Sequence, residues 1–78
     1  MEELSLVYIL PNEDGWITRI DGGYTISNIT DFTGWILIDE GFGDRYNLCQ
    51  NNYLPKPLID DDGNYRYKYV DGKIEEAN

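Results

Sequence analysis

The chain has 78 residues, no histidine and a formal charge of −9 from 15 acidic and 6 basic side chains. That length makes one domain, residues 1–78, too small for a substrate cleft backed by a separate catalytic shell. The charge excludes nucleic acid as a partner, because neutralising phosphates needs a basic surface, and it disfavours anionic membrane surfaces for the same reason. The missing histidine removes the commonest general base and the commonest metal ligand, which argues against an enzyme. Cys49 is the single cysteine, so no intrachain disulfide forms and a reducing compartment is expected. Met1-Glu2-Glu3 is acidic where a signal peptide is basic, and the apolar run at 4–10 is far short of the ~20 residues that span a bilayer. A soluble protein made in the cytoplasm is the expectation.

In chain order, residues 4–10 (LSLVYIL) read as a strand that Pro11-Asn12-Glu13-Asp14-Gly15 breaks. Residues 16–20 follow as its hairpin partner, and Asp21-Gly22-Gly23 turns the chain again. Residues 24–29 (YTISNI) continue as strand, 30–34 as a polar loop, and 35–38 (WILI), apolar on both faces, as a buried central strand. A single helix is expected over 44–53, with Asp44 as N-cap and Tyr46, Cys49, Gln50 and Tyr53 on one face. It must end before Pro55, and Pro55-Lys56-Pro57 is a stiff connector. Asp60-Asp61-Asp62-Gly63 is a turn, and in residues 64–70 Tyr65, Tyr67 and Tyr69 alternate with Arg66 and Lys68, the period of a two-faced strand. Asp71-Gly72 signals a type I′ turn, Lys73-Ile74 fold back as a short last strand, and 75–78 fray. No internal repeat stands out. The sum is an α+β domain: a small antiparallel sheet of about four to six short strands with one short helix near 44–53.

The motifs weigh toward structure over chemistry. Three adjacent aspartates at 60–62 point in different directions, whereas calcium loops place carboxylates at alternating positions; Asn12-Glu13-Asp14-Gly15 fails likewise. Asp39 and Glu40 are neighbours facing opposite ways and make no glycosidase pair. Cys49 lacks a histidine to activate it, and Gly41-x-Gly43 lacks the lysine of a phosphate loop. The chain therefore offers no catalytic residues, no metal ligands and no cofactor site. The aromatic residues carry the functional signal: Tyr65, Tyr67 and Tyr69 form either the core face of their strand, a protein interface or a sugar platform. Tyr65, Arg66, Tyr67, Lys68, Tyr69, Trp35 and Arg45 are the candidate interaction residues.

From Thr33 onward a longer pattern emerges. It runs Thr33-Gly34-Trp35-Ile36-x-Ile38-Asp39-Glu40-Gly41-x-Gly43-Asp44-Arg45-Tyr46, then Gln50-x-Asn52-Tyr53-Leu54 and Lys56-Pro57-Leu58, and closes on Gly63-x-Tyr65-Arg66-Tyr67-Lys68-x-Val70-Asp71-Gly72-Lys73. Over about half the chain this resembles a family of small phage and prophage proteins of Gram-positive gut bacteria, which sit among tail genes near fibre or baseplate proteins. The same module looks like the tail-end segment of some larger fibre proteins. Members often carry two histidines where this chain has Asn47 and Leu48, so no metal or acid–base role transfers. The resemblance implies a non-enzymatic, tail-associated accessory or assembly protein with a tail fibre or baseplate protein as partner. It would act in the host cytoplasm during assembly or in the virion tail. Gly43-Asp44-Arg45-Tyr46 also has a purely structural reading: an N-cap, an ion pair from Arg45 and a core tyrosine.

Two other functions stay open: a small carbohydrate-binding module aiding host recognition, and an acidic inhibitor or anti-defence protein. A basic face at Arg66 and Lys68 against an otherwise acidic surface also suggests a homodimer, strengthening as salt screens the net charge.

Overall fold

A computed structural model describes residues 4–77. The acidic start at Met1-Glu2-Glu3 and the last residue, Asn78, lie outside the described residues. The fold class is as expected: α+β, mostly β, with five strands and short helices. The strands are divided between two antiparallel sheets.

The first sheet is built on β1, Ser5–Pro11, whose alternating pattern buries Ser5, Val7 and Ile9 on one side. It pairs with β2, Ile17–Gly22, and with β3, Ile36–Gly41, in the order β2-β1-β3. Ile9 faces Ile20 on one side and Ile36 on the other, so branched side chains meet across all three strands. The register against β3 shifts between Val7, opposite Asp39, and Tyr8, opposite Leu37, which leaves Ile38 as the extra residue of a bulge. The second sheet is the hairpin of β4, Tyr67–Val70, and β5, Lys73–Glu76. Its turn has φ of 50° at Asp71 and 83° at Gly72, the paired positive values that a type I′ turn requires. The sheets are joined where Trp16 bridges Lys68 and the Tyr69 N–H donates to the Gly15 carbonyl at 2.8 Å.

The core is Val7, Ile9, Ile17, Ile20, Cys49 and Tyr67, completed by half-buried Ile36, Ile38, Tyr46, Tyr53, Leu54, Leu58, Tyr69 and Ile74. Burying each of the large aliphatic side chains is worth roughly 1.5–3 kcal/mol. With so few of them, the tyrosines supply much of the remaining area.

Five local expectations are corrected. Residues 24–29 are not strand: Gly23–Asn28 form a 3₁₀ helix, closed by the Ile29 N–H on the Ile26 carbonyl. The cause is contact. A Cβ on Gly23, at φ 48°, would press on the Tyr46 carbonyl and lie 2.6 Å from that of Asn47, so the chain turns here against the helical segment. The segment 35–38 is not a buried central strand. Trp35 precedes β3, and β3 is an edge strand paired only with β1 among the described residues, with Leu37 half-exposed. The helix expected over 44–53 is two single turns, α1 (Asp44–Asn47) and α2 (Cys49–Asn52), broken where Leu48 sits at φ −114°, ψ 42°. Asp44 begins α1 but is not its N-cap; Gly43 is, with no side-chain bond. Finally, Glu75 and Glu76 do not fray, since they pair with Lys68 and Tyr67, and the Ala77 N–H donates to the Arg66 carbonyl at 2.8 Å. No described helix is long and apolar enough to cross a membrane.

Candidate functional site

Two hairpin loops have the same internal chemistry. In the first, Asn12 Oδ1 accepts the N–H groups of Asp14 and Trp16 at 3.0 and 2.9 Å, while the Gly15 N–H donates to the Asn12 carbonyl at 3.0 Å. In the second, Asp60 Oδ1 accepts the N–H groups of Asp62 and Asn64, both at 2.9 Å, and the Gly63 N–H donates to the Asp60 carbonyl at 3.0 Å. The outer closure matches too: the Asn12 N–H reaches the Trp16 carbonyl at 2.8 Å and the Asp60 N–H the Asn64 carbonyl at 2.9 Å. Each loop is an Asx-type turn whose first side chain replaces the missing ladder partners. Of the clustered acids, Asp60 has this structural task, spending one oxygen on its own loop.

Between the loops lies a cleft of about 420 Å³ lined by Trp16, Asp60, Gly63, Asn64 and Tyr65. The Lys68 ammonium lies 5.2 Å from the Trp16 ring centroid. A second cleft of about 410 Å³ is flanked by Leu54, Pro55, Pro57 and Leu58, with Gln50, Asn51 and Lys56 as polar members. Gln50 is bonded to Asp21 at 3.0 Å and Lys56 to Glu76 at 3.5 Å.

The side of the first sheet turned away from the core is thinly covered. Tyr8 meets Phe32 edge-on with ring centroids 5.1 Å apart, and Arg19 lies 5.0 Å from the Trp35 ring centroid. Loop 30–35 thus lays two aromatic rings over β1 and β2, while Phe32 and Leu37 are each 49% exposed. At the rim, Asp31 accepts the N–H and hydroxyl of Thr33, and these bonds, the backbone one foremost, hold its carboxyl below the ordinary value.

Two charged clusters are structural. Asp21 is 1% exposed and fully partnered: Arg19 at 2.9 Å, Gln50 at 3.0 Å and Asn28 at 3.3 Å. It binds β2, the 3₁₀ helix and α2 together. Arg45, expected to form an ion pair, finds no carboxylate among the described residues. Its guanidinium lies 4.6 Å from the Tyr53 ring centroid and 5.6 Å from that of Tyr46, and the Tyr53 hydroxyl donates to Asp39 at 2.8 Å. Burial, then the bond to Asp39, pushes the Tyr53 hydroxyl up to about 12. Burial and the nearby Asp21 charge push the Cys49 thiol up to about 11, so the thiolate that a nucleophile needs is disfavoured.

The sequence-derived interaction residues fall into separate places. Tyr67 is buried, its hydroxyl raised mainly by burial, and Tyr69 packs on the core, whereas Tyr65 is 38% exposed. Arg66 donates through Nε to the Pro57 carbonyl at 3.0 Å and the Lys68 ammonium lies 5.2 Å from the Trp16 ring centroid, so both residues of the expected basic face also contact their own chain. Trp35 lies with Arg19, and Arg45 with Tyr46 and Tyr53. The residues sequence reasoning passed over are Trp16, Asp60 and Asn64. A signal existed: Asn12-x-Asp14-Gly15 and Asp60-x-Asp62-Gly63 share one spacing, each followed within two residues by an aromatic ring.

No group of three or more His, Cys, Asp or Glu side chains able to hold a metal ion occurs among the described residues. No family model matches the chain, and no curated protein or solved structure is detectably similar to it.

Proposed function

We propose that this chain is a non-enzymatic interaction domain, an accessory or assembly component of a phage tail that acts through protein–protein contacts. The observation that carries the reading is the outward side of the first sheet, where half-exposed Phe32 and Leu37 flank Tyr8 beside the unpaired edge of β3 among the described residues. Such an edge offers backbone hydrogen bonds to a partner strand, and the apolar side chains offer area to bury. A charge of −9 favours a partner with a basic contact surface and speeds the encounter. The tail setting rests on the motif resemblance from Thr33 onward.

Co-expression with the tail-fibre or baseplate protein of the same phage, followed by pull-down, tests it. The wild-type chain co-purifies, and Leu37→Arg abolishes co-purification without moving the melting temperature, because Leu37 is 49% exposed. No co-purification by the wild type, or undiminished capture by Leu37→Arg, sinks the proposal.

A further inference from the structure

We infer that the cleft between the two twin loops is a binding site for a neutral saccharide. Its volume of about 420 Å³ lies in the roughly 300–1,000 Å³ range of small-molecule clefts. Its lining combines two kinds of group that sugar recognition needs. Trp16 and Tyr65 supply aromatic area, against which the C–H face of a pyranose packs. Asp60 and Asn64 supply polar groups: the carboxylate accepts only, while the amide both donates and accepts. That mixed set matches vicinal hydroxyls, each of which is donor and acceptor at once.

The polar groups are available. The loop uses Asp60 Oδ1 for two backbone N–H groups, which holds the carboxylate in place and leaves Oδ2 uncommitted in the loop's bonds. Asn64 enters the loop through its backbone N–H and carbonyl, and its side chain is exposed. The cleft is thereby preorganised, because the twin-loop bonds fix the backbone that carries both groups. The second cleft is lined mainly by Leu54, Pro55, Pro57, Leu58 and other apolar groups, and among the described residues it offers no aromatic ring for a sugar to stack on.

Charge decides between ligand classes. An anion would meet the Asp60 carboxylate in a chain of net charge −9. A quaternary cation would suit aromatic rings beside a carboxylate, but Lys68 already holds its ammonium 5.2 Å from the Trp16 ring centroid and would repel a second positive charge. A neutral, hydroxyl-rich ring escapes both repulsions.

The site is separate from the outward side of the first sheet, so its test is independent of the tail-partner reading. The isotopically labelled full chain is titrated by NMR with methyl glucoside, methyl galactoside, N-acetylglucosamine, N-acetylgalactosamine and rhamnose, and separately with choline. At least one sugar shifts the amide signals of Gly63, Asn64 and Tyr65 and the Trp16 indole N–H, saturably, with Kd of about 1 mM. Asn64→Ala weakens that binding about fivefold or more while melting as wild type. Leu37→Arg leaves it unchanged, and in Trp35→Phe the remaining tryptophan still reports it by fluorescence. Absence of a saturable shift with every sugar, stronger binding of choline, shifts centred on Phe32 and Leu37, or full affinity in Asn64→Ala would each overturn the assignment.

Discussion

Replacing Asp21 by asparagine tests the join between β2, the 3₁₀ helix and α2. The carboxylate is 1% exposed and accepts from Arg19 at 2.9 Å, Gln50 at 3.0 Å and Asn28 at 3.3 Å. All three are donors, so the new amide must turn its own N–H groups toward one of them, losing a charged acceptor and setting donor against donor. A hydrogen bond to a charged group contributes about 1.5–3 kcal/mol net. Breaking a fully buried ion pair costs about 3–5 kcal/mol, but the Arg19 side chain is 49% exposed and re-solvates, which lowers the figure. A loss of about 2–3 kcal/mol follows. Domains hold about 0.05–0.15 kcal/mol per residue, so this chain has about 4–12 kcal/mol in total and the loss is a large share. At this size it lowers the melting temperature by about 10–20 °C. Urea unfolding followed by circular dichroism measures it, with Gln50→Ala and the double variant closing a cycle whose coupling is about 1 kcal/mol. An Asp21→Asn chain within about 0.5 kcal/mol of wild type would refute the reasoning.

Alkaline pH acts on two groups of raised pKa. Both are favoured neutral in the fold, so their stabilisation is complete below the unfolded values and is lost as pH climbs from 9.0 to about 11 for Cys49 and from 10.0 to about 12 for Tyr53. Urea midpoints recorded along that range fall, Tyr53→Phe falls less steeply, and native Cys49 resists alkylation until the chain unfolds; a flat profile contradicts the burial argument. Gly23→Ala drives a Cβ into the backbone of Tyr46 and Asn47 and costs more than about 2 kcal/mol, whereas Gly72→Ala meets open space and costs about 1–2 kcal/mol for its positive φ alone. Equal denaturation midpoints for the two would show that the Gly23 contact is not tight.

The sequence by itself determined the pieces whose causes are local. That residues 5–10 form a strand, the Asp71-Gly72 turn and the burial of Cys49 follow from apolar content and turn chemistry, and so does the α+β class, whereas the sequence left Tyr67 open between core and interface. Only the tertiary structure decided what depends on partners distant in sequence. Residues 24–29 have the composition of a strand, yet the segment coils into a 3₁₀ helix that starts at Gly23, where the chain packs closely on the backbone of Tyr46 and Asn47. Trp35-Ile36-Leu37-Ile38 is apolar enough for a central strand, but in this chain β1 holds the centre and β3 the edge, because periodicity reports burial without saying which strand lies next. Arg66 and Lys68 alternate as a free basic face would, and folding brings Arg66 to the Pro57 carbonyl and Lys68 to the Trp16 ring. The cleft was the least legible part. Trp16 and Tyr65 are 49 positions apart in sequence, and the bridge between Trp16 and Lys68, with the Tyr69 N–H on the Gly15 carbonyl, carries the second loop to the first.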